Sequence, residues 1–372
     1  MFENYKAPQE LIPSDPRFGC GPSLVPMQHL QALLDAGPHM MGTSHRKKAV
    51  KGLCEDIQKG LKKYFEVPDD FSVVLGNGGA TLLFDMIGLG MVEKKVAHFT
   101  CGEFSDKWYK CSKAIPWIEA VVKNVDYGQG VNPQYVEGAD MVCATLNETS
   151  TGVIFNQLPS LPENCLMAVD ATSGAGQVPL DVKKTDVFFF SPQKVFASEG
   201  GLFIAILSPK ARARALKIAA DKSRYVPDIM SWVNAIDNSD KHQTYNTPAI
   251  ATLFLLREQV NLMNQVGYQG VCQEARKKAD FLYQWAASKP YLTPYVKDPA
   301  FQSMAVATID VDDKVDTSAL ISVLEKSKAV YGIDAYRKLG RNQFRIGLFH
   351  NIRYDDVVKL TKLLDHAIAT VL

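Results

Sequence analysis

Apolar residues in this chain fall into short blocks, and the blocks follow two rhythms. Compact runs at Phe71–Leu75, Val96–Thr100, Ile118–Val122, Met141–Leu146, Leu166–Val169, Val187–Phe190 and Leu202–Leu207 predict seven strands. Between them lie longer stretches with helical spacing. Met27–Ala36 is expected to end at Gly37. The run that opens at His45-Arg46-Lys47-Lys48 carries Val50, Leu53, Ile57, Leu61 and Phe65 on one face. Leu82–Met91 and Ala211–Ala220 read as further helices, and Tyr225–Lys241 reads as a polar and aromatic loop. Strands alternating with helices predict an α/β fold with a mostly parallel sheet and helices on both faces.

A long apolar helix over Ala249–Val266, ended by Gly267, is expected to lead into a second unit. That unit holds predicted helices at Val271–Ser288, Thr317–Lys328 and Asp355–Val371, and strands at Met304–Ile309 and Gln343–Leu348. The division expected is an N-terminal arm over residues 1–16 packing with the small domain, a large domain over 17–262, and a small α/β domain over 263–372. A chain of 372 residues is ample for two cores.

Composition narrows the function classes. Charged residues make up 22% and balance to a net charge of +1, so bulk electrostatics give no case for nucleic acid or a membrane surface. No apolar run approaches the roughly 20 residues of a bilayer span. The start, MFENYKAPQELIP, lacks the basic and apolar regions of a secretory signal. Seven scattered cysteines form no framework and no CxxC pair, as expected of reduced thiols in the cytoplasm. No metal-ligand pattern stands out.

Candidate chemistry gathers where predicted strands end, because ligands of open α/β sheets bind beyond the carboxyl edge. Asp170 ends one apolar run, and Lys194 lies in the Ser-Pro-Gln-Lys turn after another. An acid and an amine so placed suit pyridoxal 5'-phosphate (PLP): the lysine forms the Schiff base and the carboxylate keeps the pyridinium nitrogen protonated. Each residue has an ordinary reading too, as a turn cap or a solvated charge. Gly76-Asn77-Gly78-Gly79-Ala80-Thr81 joins a strand to a helix N-terminus, a natural phosphate cradle or a plain tight turn. Phe104 is placed to stack on a ring or to fill the core, and Thr149 to bond a ring oxygen or close a polar turn. The His45-Arg46 cluster is either a solvated face or an anion site. Arg345, inside the apolar run FRIGL, needs an anionic partner: a substrate carboxylate or an internal acid.

In combination, GPSLVP (Gly21–Pro26), SHR (Ser44–Arg46), NGGAT (Asn77–Thr81), NET (Asn147–Thr149), VDAT (Val169–Thr172), SPQK (Ser191–Lys194) and YNTPA (Tyr245–Ala249) resemble the phosphoserine aminotransferases, class-V members of the fold-type I PLP enzymes. The resemblance runs through nearly the whole chain. It implies amino transfer between glutamate and 3-phosphohydroxypyruvate, giving O-phosphoserine and 2-oxoglutarate, with a phosphorylated hydroxythreonine of the pyridoxine pathway as a second substrate. It implies Lys194 as the Schiff-base lysine and Asp170 as the pyridinium partner. Ala80, Thr81, Phe104, Thr149 and Gln193 are implied as further cofactor contacts. Asn246 and Thr247 are implied as phosphate ligands reaching across a homodimer with shared sites. His45 and Arg46 are implied for the distal anion of the substrate, and Arg345 for its α-carboxylate.

Two departures stand out. Thr81 occupies a position where many relatives carry arginine, and Arg337-Lys338-Leu339-Gly340-Arg341 replaces a His-Arg pair common in the family. An alanine–glyoxylate or serine–pyruvate type aminotransferase is the alternative on the same fold. A cysteine desulfurase is disfavoured, since no cysteine follows Cys272.

Overall fold

The structure is a computed structural model, and it describes Phe2 and residues 5–371. Met1, Glu3 and Asn4 of the expected N-terminal arm, and the terminal Leu372, lie outside the described residues. In chain order the elements begin with α1 (Met27–Met40), α2 (Lys48–Tyr64), β1 (Ser72–Gly78), α3 (Ala80–Met91), β2 (Lys95–Thr100), α4 (Glu103–Lys113) and β3 (Glu119–Asn124). Then come β4 (Met141–Thr145), β5 (Asn147–Glu148), β6 (Val153–Ile154), β7 (Leu166–Asp170), β8 (Val187–Phe190), β9 (Gly201–Leu207), α5 (Pro209–Ala220) and α6 (Trp232–Ser239). The remainder is α7 (Ile250–Val266), α8 (Tyr268–Ala287), β10 (Leu292–Pro294), β11 (Val306–Val311), α9 (Thr317–Lys326), β12 (Gln343–Gly347) and α10 (Tyr354–Ile368).

Seven strands form the main sheet in the order β1-β9-β8-β7-β4-β2-β3. Neighbours run parallel except β9, which is antiparallel to both β1 and β8. The apolar runs are continuous because the sheet is covered on both faces. In β8, Phe188 and Phe190 join a core with α2 and α7, whereas Val187 and Phe189 join a second core with α3, α4, α5 and α6. A three-stranded antiparallel sheet, β10-β11-β12, packs with α8, α9 and α10 in the C-terminal part. The arm lies against this part: Tyr5 meets His366 at 3.0 Å, and the Ser14 amide donates to Asp356 at 2.6 Å.

Several elements differ from the pattern reading, among them the short strands β5, β6 and β10, which it did not expect. α1 runs through Gly37 and Pro38 to Met40. The proline stands in the last turn, where its missing N–H costs one bond near the end of the ladder. Tyr225–Lys241 is not all loop: α6 buries Trp232 and Ile236, and the Trp232 indole N–H donates to the Met86 carbonyl at 2.8 Å. α4 is rich in charge and anchors itself chiefly through Trp108, so no periodic apolar stripe announces it.

Candidate active site

The carboxyl edge of the central strands holds the acid and the amine. Asp170 is the last residue of β7, in register with Thr145 of β4 and Phe189 of β8. It is 3% exposed. The turn that follows bends back so that the Thr172 amide (3.0 Å) and hydroxyl (2.5 Å) both donate to Oδ1. Oδ2 accepts no hydrogen bond from the described residues, which leaves it open to a donor on a ligand. Burial pushes the Asp170 carboxyl up to about 6, with Glu148 adding to the rise while Thr172 and Lys194 oppose it.

Lys194 sits in the turn between β8 and β9. Its Nζ donates to the Cys20 carbonyl at 2.5 Å. Burial brings the lysine down to about 8, and the Arg345 guanidinium pushes the same way against Cys20, Asp170 and Glu148. The strand-to-turn path is pinned by the Gly21–Pro26 loop: the Ser23 amide donates to the Gln193 carbonyl at 2.8 Å and its hydroxyl to the Lys194 carbonyl. Gly21 lies so close that a β-carbon there would overlap Cδ, Cε and Nζ of Lys194. A left-handed φ of 122° gives a second reason for glycine.

Arg345 projects from β12, opposite Thr308. No internal acid among the described residues pairs with it. It donates instead to the carbonyls of Asp334 and Thr149, each at 3.3 Å, and its guanidinium lies 5.3 Å from the Tyr336 ring. The other cations of that run behave differently. Lys338 pairs with Glu103 at 2.8 Å and Arg341 with Asp310 at 2.6 Å, whereas Arg337 makes no ion pair among the described residues.

Phe104, in the first turn of α4, stays half-exposed and belongs to neither core; its ring centroid lies 5.9 Å from that of Tyr336. The Thr149 hydroxyl shares a 2.7 Å bond with Ser173. Ala80 and Thr81 open α3, whose N-terminus has no capping side chain and no acid in its first turn. Lys107 donates to the Thr81 hydroxyl at 3.3 Å and brings positive charge to the same place. The start of α4 is the opposite case, because the buried Glu148 carboxylate already accepts from the Phe104 and Ser105 amides. An incoming anion therefore meets open N–H groups at α3 and occupied ones at α4.

The remaining expected residues form a second, exposed cluster. His45 Nδ1 lies 3.2 Å from the Thr247 hydroxyl, and Arg46 donates to Gln243 at 2.7 Å. Asn246 is exposed, and the Thr247 carbonyl accepts from Asn77, at the end of β1, at 2.7 Å. Within one chain none of these four hydrogen-bonds to Lys194, Asp170 or Arg345.

Sequence reasoning passed over Thr172, Cys20, Lys107, Ser173 and the role of Glu148. The Asp-x-Thr spacing of an Asx-type turn was a signal for Thr172. The others act through partners distant in sequence.

A half-buried amine, a buried acid with one free oxygen, a half-exposed ring and an uncapped helix start fit an aromatic aldehyde carrying a basic ring nitrogen and a phosphate. Gln193 Oε1 and Asn77 Oδ1 are buried without partners, two further acceptors left for a ligand with donors.

The aminotransferase class-V family model matches residues 125–331. The chain is 45% identical to a phosphoserine aminotransferase of Corynebacterium glutamicum over 361 residues, covering 96% of each. Among solved structures, a phosphoserine aminotransferase of Cytophaga hutchinsonii superposes with a TM-score of 0.85 at 25% identity, covering 95% of this chain and 98% of that one. A PLP-bound phosphoserine aminotransferase of Trichomonas vaginalis shares the fold at a TM-score of 0.80 and 19% identity, covering 94% and 99%.

Proposed function

Because the chain belongs to the phosphoserine aminotransferases, within the class-V aminotransferases, we propose that it passes the amino group of glutamate to 3-phosphohydroxypyruvate with PLP as cofactor, yielding O-phosphoserine and 2-oxoglutarate. The observation that carries the reading is the placement of Lys194 and Asp170 at one sheet edge, each perturbed by burial and each within the other's field.

PLP, when bound, supplies a protonated pyridine ring that takes up the electron pair left when the substrate Cα loses its proton. Asp170 holds that ring nitrogen protonated, and its open Oδ2 supports the role. Lys194 would hold the cofactor through its amine and, when free, would take and return the proton at the substrate Cα, a task suited to an amine brought down to about 8. Phe104 covers one ring face. Thr149 and Gln193 hold the polar edge. Ala80, Thr81 and the open α3 N-terminus hold the phosphate. Arg345, free of any acidic partner, takes the α-carboxylate that donor and acceptor share.

The exposed cluster serves a second copy of the chain: Asn246 and Thr247 reach its cofactor phosphate, and His45 and Arg46 its substrate's distal anion. The surface of α1 supports a homodimer. Met27 (73% exposed), Leu30, Leu34 (69%) and Met41 just beyond the helix line one face at helical spacing, next to His45. We place the protein in the cytoplasm. Its seven cysteines are unpaired, and no helix among the described residues is long and apolar enough to cross a membrane.

The test is a panel of amino acceptors with glutamate as donor: 3-phosphohydroxypyruvate, hydroxypyruvate, pyruvate and glyoxylate. A strong preference for the phosphorylated acid is expected. Equal rates across the panel would overturn the substrate reading and favour the alanine–glyoxylate type. Lys194→Ala separates the cofactor reading from it, since that variant should lose the visible absorbance of the holoenzyme and nearly all turnover.

A further inference from the structure

Glu148 is a fully buried carboxylate with no lysine or arginine partner among the described residues. Such a group is expensive unless donors surround it. Here the Phe104 amide (3.3 Å) and the Ser150 amide (3.2 Å) and hydroxyl (2.7 Å) donate to Oε1, and the Ser105 amide and hydroxyl (both 2.9 Å) donate to Oε2. The carboxylate thus ties strand β5 to the first turn of α4. Gly102 makes the approach possible, because a β-carbon there would overlap Glu148 Cγ and Cδ.

The neighbours of Glu148 in sequence point elsewhere. The Asn147 side-chain Nδ2 donates to the Ser173 hydroxyl at 2.7 Å, beside the Asp170 turn, while the Thr149 carbonyl accepts from Arg345. Three successive residues therefore bind three parts of the site, and only Glu148 reaches the helix that carries Phe104.

We infer that Glu148 is a positioning residue for the cofactor: as an anion it seats the first turn of α4, fixing Phe104 relative to Thr149 and Asp170. The inference rests on the proposed function, since Phe104 has something to cover only if the ring binds there. Its charge also reaches the lysine. The titratable and charged groups around Lys194 are Cys20, Asp170, Arg345 and Glu148, and of these Asp170 and Glu148 are the acids. Removing the Glu148 charge favours the uncharged form of the lysine nitrogen.

The experiment uses holoenzyme. Glu148→Gln keeps the volume and removes the charge, and Gly102→Ala keeps the charge and displaces it. In Glu148→Gln, the pH midpoint of the visible absorbance should move to lower pH by about half a unit, and the PLP dissociation constant should rise about tenfold. Gly102→Ala should weaken PLP similarly. Phe104→Ala should add little further loss in the Glu148→Gln background, because the ring is already misplaced. An unchanged midpoint and PLP affinity, with only a lower melting temperature, would overturn the inference and leave Glu148 a structural cap. Additive losses with Phe104→Ala would overturn it too. If Glu148→Gln does not fold, Gly102→Ala with wild-type PLP affinity overturns it alone. Wild-type protein that binds no PLP would instead sink the proposed function.

Discussion

Asp170 carries a cost that shows whenever the cofactor is absent, and the cost can be worked out. Its carboxyl rises from 3.8 to about 6, burial outweighing the two bonds from Thr172, with Glu148 raising and Lys194 lowering it. An acid whose folded pKa exceeds its unfolded value holds protons more tightly when folded. Its contribution is therefore neutral below about pH 4 and turns against the fold as pH climbs to about 6. A shift of just over two units, at about 1.4 kcal/mol each, amounts to about 3 kcal/mol at neutral pH. Asp170→Asn keeps the shape and drops the charge, so the cofactor-free variant should be about 3 kcal/mol more stable than cofactor-free wild type at pH 7. With the unfolding entropy typical of a chain this long, that is a gain of about 4 °C in Tm. Thermal unfolding of both apo-proteins, followed by circular dichroism from pH 4 to 7.5, measures it. The advantage should vanish near pH 4 and reach its full size by pH 7, while the same variant loses transamination. A difference that stays flat with pH would refute the reasoning, whatever its size.

Arg345→Ala should lower kcat/KM roughly 100-fold for glutamate and for the keto acid alike, since both bring an α-carboxylate; a loss confined to one half-reaction in stopped-flow traces would count against the assignment. Phe104→Ala should raise the PLP dissociation constant about three- to tenfold by removing one stacked face, read by titrating apo-protein. Leu34→Asp puts a charge in the middle of the exposed α1 stripe and should convert a dimer to monomers in light scattering, with the circular dichroism spectrum kept and activity lost. A variant that stays dimeric would direct attention to another face.

What the residue pattern disclosed follows from how each element is buried. Strands such as Val187–Phe190 announce themselves because both faces of the sheet are covered and every position is apolar. α4 stayed hidden because it is anchored by essentially one large apolar side chain, Trp108, among polar neighbours, and α6 because its buried stripe of Trp232, Ala235, Ile236 and Ser239 fills only two turns inside a polar segment. Asp170 and Lys194 were legible from their places after apolar runs. Glu148 was not, because its meaning depends on a helix start 43 residues away at Ser105. The free state of Arg345 was likewise beyond reach, since only folding decides whether an acid comes to meet it.

The single reversed strand has a mechanical consequence. Because β9 runs against β8, with Phe190 facing Ile204, the chain returns to the same sheet edge through residues 191–200, and Lys194 rides in that connection, four residues past β8 and held by Ser23. A forward-running successor would have demanded a crossover to the opposite edge of the sheet before the chain could pair again. The amine therefore inherits the stiffness of the sheet, and lengthening that connection by even one residue should swing it off target while leaving the scaffold intact.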